Sequence, residues 1–392
     1  MSVHHSIAAI APADWDRLAN PPGSEHNPFV QHAFLAALEA SGSTTPQTGW
    51  TPQHLLLRDA LGTPVAAAPC YLKAHSLGEY VFDQAWADAL QRAGGRYYPK
   101  LQVAVPFSPV TGPRLLAATP ELQGQLLAAL QHQCAAVSAS SVHVTFLPTA
   151  DAQRLAGPQW LVRKDLQFHW FNKGYRHFDD FLGDLSHAKR KQIRRERRAV
   201  ADAGVTLRWL HGREVREADW DVFFAFYQHT GARKWGRPYL TRTFFSLLGQ
   251  SMPDAVALLL AERDGQTIGG ALNLLGSHTL FGRYWGALVE VPCLHFEACY
   301  YQAIELAIAR GLQRVEAGAQ GPHKLARGYL PVATHSLHHL AHPGLADAVA
   351  EYLRDERAAV GDEQDLLLAH SPFRLTENRL NRLEELDNTP DP

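Results

Sequence analysis

Cysteine is sparse and net charge is nearly absent, and each shortage removes a class of function. The four cysteines, Cys70, Cys134, Cys293 and Cys299, form neither a CxxC pair nor the spacing of a metal-ligand set. They read as small buried hydrophobes of a reducing compartment, so a soluble, cytoplasmic protein is expected. A formal charge of −2, from 37 Lys and Arg against 39 Asp and Glu, supplies no global attraction to nucleic acid or membrane. No apolar run approaches the roughly 20 residues that a membrane helix needs. The opening stretch MSVHHSIAAIAPADW lacks the basic start and apolar core of a signal peptide. GxSxG, Walker A and GxGxxG patterns are also missing, which removes the motif-based hydrolase, P-loop and Rossmann readings.

What is present is apolar bulk. Hydrophobic residues make up 46% of 392, more chain than one core usually supports, so two domains are expected. Aligned with itself, the chain repeats: LLLRDALGTPVAAAPCYL (55–72) matches LLLAERDGQTIGGALNLL (258–275) without a gap. Leu55, Leu56 and Leu57 fall on Leu258, Leu259 and Leu260, and Gly62 on Gly265. Each copy is an apolar run, a polar turn with glycine and a second apolar run, which predicts a β-hairpin. Asp264-Gly265 is the stronger turn signal. After the first hairpin come a strand over 101–105, a helix over 121–138 and a strand over 142–146. After the second come a strand over 279–288, an amphipathic helix with Phe296, Tyr300, Ala303, Ile304, Ala307 and Ile308 on one face, and a strand over 315–317. The first half carries an extra segment near 78–95. The order predicts a duplicated mixed α/β (α+β) domain: an N-terminal half over 1–165, a strand and basic connector helix over 166–205, and a C-terminal half over 206–392 that holds the chemistry.

The connector is the most charged part of the chain. Lys189, Arg190, Lys191, Arg194, Arg195, Arg197 and Arg198 make seven of ten consecutive residues basic. Ser186 suits an N-cap, and Leu182, Leu185, Ile193 and Val200 give a narrow apolar stripe. One reading is a seat for a polyanion such as tRNA, a nucleotide-linked substrate or the phosphates of coenzyme A. The other is a solvated helix paired with acidic surface elsewhere.

Two stretches of the second half crowd polar groups at expected strand and helix ends. In 281–301, strand alternation puts Arg283 and Trp285 on one face and Tyr284 on the other. The next loop carries His295 and Glu297 to a helix start, where Glu297 is either a site residue or a partner of the helix dipole. In 314–332, Glu316 ends a strand, and a glycine-rich bend with Gln320 leads to His323, Lys324, Arg327 and Tyr329. Cations after such a bend suit phosphate or carboxylate. Glu316 could act as general base toward an amine, with Lys324 or Tyr329 assisting. Lys234 and Trp235, with Tyr239, lie in KWGRPYL, either a substrate wall or an aromatic cover for the core. His335, His338, His339 and His342 invite a metal, but Pro343 and Gly344 break the segment. No metal and no tightly bound cofactor is expected.

GEYVFDQAWADAL, LSHAKRKQIRRERRAV, KWGRPYLTRTFF, GRYWG, HFEACYYQAIE and EAGAQGPHKLARGYLP closely resemble a bacterial family described as predicted N-acyltransferases. That family is Fem-like, after enzymes that add amino acids to peptidoglycan bridges. The resemblance extends from about residue 27 to about residue 375. It implies tandem GNAT-like domains and transfer of an acyl or aminoacyl group from acyl-CoA or aminoacyl-tRNA to an amine. HKLARGYLP is similar to a basic segment of the family that contacts substrate phosphate, which implies that role for Lys324 and, more weakly, Arg327. The loop VEVPCLHFEACY departs from the [QR]xxGx[GA] coenzyme A loop of GNAT enzymes. An N-acyltransferase working by direct attack in a ternary complex is the leading expectation. The alternative is a non-catalytic module that binds a muropeptide, tRNA or another polyanion.

Overall fold

In the computed structural model of the protein, residues 1–235, 238–318 and 321–374 are described, with 232–235 and Pro322 described by backbone alone. The class is the expected mixed α/β, with a four-stranded and an eleven-stranded sheet. From one edge, the large sheet runs Thr206–His211, Val256–Arg263, Gln266–Leu275, Thr279–Ala287, Arg314–Glu316, Leu161–Phe171, Leu330–Leu340, Ser141–Leu147, Lys100–Val103, Cys70–Lys73 and Trp50–Pro52. Among the described residues only two strand pairs are parallel: Lys100–Val103 with Ser141–Leu147, and Thr279–Ala287 with Arg314–Glu316. Parallel partners need a crossover. It is supplied by helix Pro120–Ala136 in the first case and by the helical run ending in Gln302–Ala309 in the second. The strand–helix–strand unit expected in each half is therefore present.

The halves meet at the antiparallel pair Leu161–Phe171 and Leu330–Leu340, in register from Leu330 opposite His169 to His338 opposite Leu161. Each strand crosses over to the other half. Leu161–Phe171 follows first-half strand Ser141–Leu147 in the chain, yet its other edge pairs with second-half Arg314–Glu316. Leu330–Leu340 follows Arg314–Glu316 and pairs with Ser141–Leu147. Leu161–Phe171 also runs unbroken across residues 165 and 166.

Both hairpins form, but not identically. Each carries one bulge, at Leu57/Arg58 and at Ala261/Glu262, but Leu55 faces Ala68 whereas Leu258 faces Leu272 and not Ala271, so the second register differs by one residue. Asp264 and Gly265 both have positive φ, 53° and 73°, as a tight hairpin turn requires. In the first copy Pro69, which has no N–H to extend a ladder, separates Pro64–Ala68 in the small sheet from Cys70–Lys73 in the large one. The connector differs too. It is two helices, Phe178–Asp184 and His187–Asp202, hinged at extended Leu185, and Ser186 occupies the N-cap without a side-chain hydrogen bond. Leu182, Leu185, Ile193 and Val200 are buried as expected.

A buried charged cluster fills the space beneath the extra first-half segment. Lys100 Nζ donates to Ser76 Oγ (2.9 Å), Glu79 Oε2 (2.6 Å) and Asp83 Oδ2 (2.5 Å). Burial works against the Lys100 charge, but the two carboxylates outweigh it and raise its pKa. Tyr97 Oη donates to Asp83 (2.7 Å), and His143 joins through Tyr97 (3.2 Å) and Ser141 (2.8 Å). His143 Nδ1 and His338 Nδ1 share one proton across 2.7 Å. His335 lies on the same strand as His338, His339 meets Gln131 and the Gln159 carbonyl, and His342 caps the final helix, Pro343–Ala369. The residues of this cluster range from 76 to 338 along the chain, so no local spacing marks it.

Two stability outcomes follow from these contacts. Helix Glu217–Trp235 lies so close to Thr279–Ala287 that a Cβ at Gly286 would collide with the Phe226 carbonyl. Gly286→Ala should cost about 3 kcal/mol or more. Gly124→Ala, in helix Pro120–Ala136 with open space around its Cβ, should add about 0.5–1 kcal/mol; urea unfolding of both variants checks the contrast. Burial, reinforced by the Lys100 charge, lowers His143 from 6.5 to about 3. The unfolded chain therefore binds the extra proton between those values, and stability falls as pH drops from about 6.5 toward 3. His143→Gln should start less stable at pH 7 but lose less between pH 7 and 4.5, as read from urea midpoints at both pH values.

Candidate active site

The parallel strands Thr279–Ala287 and Arg314–Glu316 pair over only three residues each, ending at Phe281 opposite Glu316. Beyond that point they part. On one side, Gly282 faces Asn273 and Tyr284 faces Leu272, so Arg283 is the extra residue of a β-bulge. On the other side the chain turns away at Gly318, with φ of 82°. The split opens into a cavity of about 560 Å³ floored by Ala271, Leu272 and Asn273. Gly282 and Gly318 line it from opposite lips.

The helical run after the split is not continuous. Leu294–Phe296 is α-helical, Glu297–Tyr301 widens to a π turn, and Gln302–Ala309 returns to α. Such turns concentrate at functional sites because the extra residue re-aims its neighbours. Here His295, Cys299 and Tyr300 face the cavity. His323 Nε2 is 2.9 Å from the Tyr300 hydroxyl, and Lys324 Nζ donates to the Gly318 carbonyl at 2.9 Å. Lys324 is 3% exposed, so its ammonium sits at the lip of the split and not on the surface.

The first half closes the opposite side with aromatic rings that sequence reasoning missed. Tyr80, Phe82 and Phe107 line the cavity, joined by Tyr227 from helix Glu217–Trp235 and by Tyr239. Phe107 and Tyr239 stack at 5.0 Å, and Tyr284 Oη donates to the Phe107 carbonyl at 3.2 Å. Tyr80 and Phe107 both hold a left-handed backbone, φ 60°, a cost that non-glycine residues bear mainly where the surroundings dictate position. The available signal was the aromatic spacing in GEYVFDQAW, which contributed to the resemblance without its chemistry being read.

Of the expected site residues, the structure brings Arg283, Tyr284, Trp285, His295, His323 and Lys324 together at the cavity. The bulge at Arg283 puts three consecutive residues on the cavity, where strict alternation separates Tyr284 from its neighbours. Four others do not line the cavity. Glu316 is absent from the lining; it is 1% exposed and paired with Arg283 (3.3 Å) and Arg314 (3.6 Å), so it neutralises Arg283 and is not placed as a free base. Burial lowers the Arg283 pKa, and the Glu316 charge partly offsets this. Tyr329 is fully buried and donates to the Tyr300 carbonyl (3.3 Å), with burial raising its pKa well above the usual value. Glu297 is buried against Arg197 (3.0 Å). Arg327 is held by Glu196 (2.9 Å) and lies over the Phe296 ring (3.4 Å). Gln320 and the side chains of Lys234 and Trp235 lie outside the described residues.

The basic helix is likewise partly spent on the fold. Arg190 donates to the carbonyls of Leu182 and Leu185, closing the preceding helix. Arg197 forms ion pairs with Glu297 and Glu305, and Arg194 with Asp179. Lys189 is half-buried. Lys191, Arg195 and Arg198 are exposed and have no ion pair among the described residues; with exposed Arg194 they share one helix face. The basic surface open to a partner is therefore narrower than the sequence implies.

Among the described residues no helix is long and apolar enough to cross a membrane. The FemAB-like family model, described as peptidoglycan biosynthesis/recognition, matches residues 6–375. No curated protein matches the sequence. Among solved structures, FemX superposes with a TM-score of 0.55 at 11% identity, covering 89% of this chain and 100% of its own. L-PGS from Bacillus licheniformis gives 0.51 at 9% identity, covering 85% and 99%. At these identities the likeness is one of fold. With that fold and a family match over nearly all its length, the chain belongs to the FemAB-like family.

Proposed function

We propose that the protein is an N-acyltransferase that moves an acyl or aminoacyl group from an activated donor to an amine. The observation that carries this reading is the split between Thr279–Ala287 and Arg314–Glu316, which opens beside Lys324 into a cavity large enough for two reactants. Both would be held in one ternary complex. The amine nitrogen attacks the carbonyl carbon and forms the C–N bond. The C–O bond of an ester donor, or the C–S bond of a thioester, breaks, and the amine proton ends on the departing oxygen or sulfur. Backbone amides along the split would stabilise the developing oxyanion. Lys324 would hold negative charge on the donor, and Arg283, kept in place by Glu316, would shape the wall beside it.

Of the two donor classes, aminoacyl-tRNA is favoured by two features. The loop entering the helix, VEVPCLHFEACY, lacks the glycines of a coenzyme A loop, and Lys191, Arg194, Arg195 and Arg198 offer an exposed cationic face. That same face supports the second reading, a non-catalytic module that binds tRNA, a muropeptide or another polyanion.

Mass spectrometry of mixtures with acyl-CoA or charged tRNA and candidate amines separates the two readings. Transfer predicts a new amide, and absence of product with both donors while ligand still binds would sink it. Lys324→Met should lower turnover by about 10²-fold or more with an unchanged unfolding midpoint. Replacing Lys191, Arg195 and Arg198 together with alanine should weaken tRNA binding and flatten its dependence on salt, as read by filter binding from 50 to 200 mM salt.

A further inference from the structure

The extra first-half segment lies between the charged cluster and the cavity, with different side chains facing each. Tyr80 and Phe82 line the cavity, while Glu79 and Asp83 are 3% and 2% exposed and bonded to Lys100. We propose that Tyr80 and Phe82 are the size-selecting wall of this cavity, and that Lys100, which lies outside it, is the positioning residue that sets where the wall stands. The proposal rests on the cavity being the substrate site and needs no particular donor.

Four anchors hold the segment, one of them Lys73, whose Nζ donates to the Leu77 carbonyl (3.1 Å) and lies 3.6 Å from Glu79 Oε1. From inside, Lys100 ties Ser76, Glu79 and Asp83 to strand Lys100–Val103. From outside, Arg163 Nη1 donates to the Phe82 carbonyl (2.6 Å) while its Nη2 pairs with Glu356 of the final helix (2.6 Å). At the start of the segment, Phe107 N donates to the Gly78 carbonyl (3.1 Å). A side chain at Gly78 would strike the Phe107 ring, and its φ of 79° favours glycine. Between these anchors Tyr80 keeps its left-handed backbone at φ 60°. A loop held at both ends with a strained residue facing the cavity is over-determined in position.

The physics of Lys100 explains why so remote a residue would matter. Glu79 and Asp83 meet on the Lys100 ammonium in a buried site, and Lys73 Nζ lies 3.6 Å from Glu79 Oε1. Without Lys100 the two carboxylates would share the buried space with Lys73 alone, which reaches Glu79, and Asp83 would have to take up a proton or move away. Either outcome releases the segment and hence Tyr80 and Phe82. The chemical lip, with Lys324, Arg283 and Gly318, belongs to second-half elements and would stay in place. Loss of the anchor should therefore change which molecules enter, and leave the transfer step itself unaltered.

The test reads binding without donor, so failure of transfer and failure of this proposal remain separate. The full chain is titrated with butylamine, benzylamine and naphthylmethylamine, with affinity read by calorimetry. Phe82, 48% exposed, can be cut to alanine with little risk to folding. Phe82→Ala should shift relative affinity toward the largest amine by at least tenfold. The combined variant Lys73→Met, Lys100→Met, Glu79→Gln, Asp83→Asn keeps the shape of the cluster and removes the Lys–carboxylate charges; it should shift the profile in the same direction. Where that variant fails to fold, the isosteric single change Asp83→Asn, which weakens the hold of Lys100 on the segment, decides the same question. An unchanged size profile in Phe82→Ala, or no binding of any of the three amines to the native chain, overturns the wall. An unchanged profile in a folded anchor variant, with Phe82→Ala shifted, overturns the role of Lys100.

Discussion

Everything at the cavity depends on how far two parallel strands remain paired. Thr279–Ala287 and Arg314–Glu316 hold together for three residues and then separate. At that point the bulge centred on Arg283 lengthens one strand, and Gly318 turns the other away. A parallel pair that stayed in register would bury its peptide groups in the ladder. The split leaves them along a cavity instead. The remaining elements can be understood as what keeps that separation stable: the Arg283–Glu316 pair at its base, the π turn on one flank and the stacked Phe107 and Tyr239 rings opposite.

The exchange of Leu161–Phe171 and Leu330–Leu340 explains how the split stays rigid. Arg314–Glu316 is only three residues long and would be a weak edge by itself. It is flanked on its second side by an eleven-residue strand that continues from the first half, and that strand is paired in turn with the other exchanged strand. The first half thus supports the cavity lip of the second through backbone hydrogen bonds. It also supplies aromatic rings of the cavity, so neither half lines it alone.

Part of the charge is used to join elements within the fold. Arg197 with Glu297 and Glu305, Arg327 with Glu196, and Lys100 with Glu79 and Asp83 join elements distant in sequence. Such pairs add little net stability over apolar packing but strongly disfavour arrangements that separate them. Three of the charges that stand out in the sequence, Glu297, Glu316 and Arg327, are engaged in such pairs.

Several features were legible because they are local. Hairpin turns follow from Asp264-Gly265, helices from apolar spacing, and the repeated unit from a match between two stretches of one chain. The resemblance carried the fold, and segments 281–301 and 314–332 do border the cavity. Their order within the site was not legible. A single extra residue at Arg283 put Tyr284 on the same cavity as its neighbours, and a π turn re-aimed the helix. Glu316 and Lys324 both looked like acid–base groups, and only their partners distinguish them: two guanidinium groups for one, and a carbonyl at the cavity lip for the other. Element type and repeat order were determined by the sequence alone, because they depend on neighbours a few residues away. Which charges face the cavity, and that Tyr80, Phe82 and Phe107 face the same space as Lys324, was decided only by tertiary structure, because burial and pairing depend on residues hundreds of positions apart.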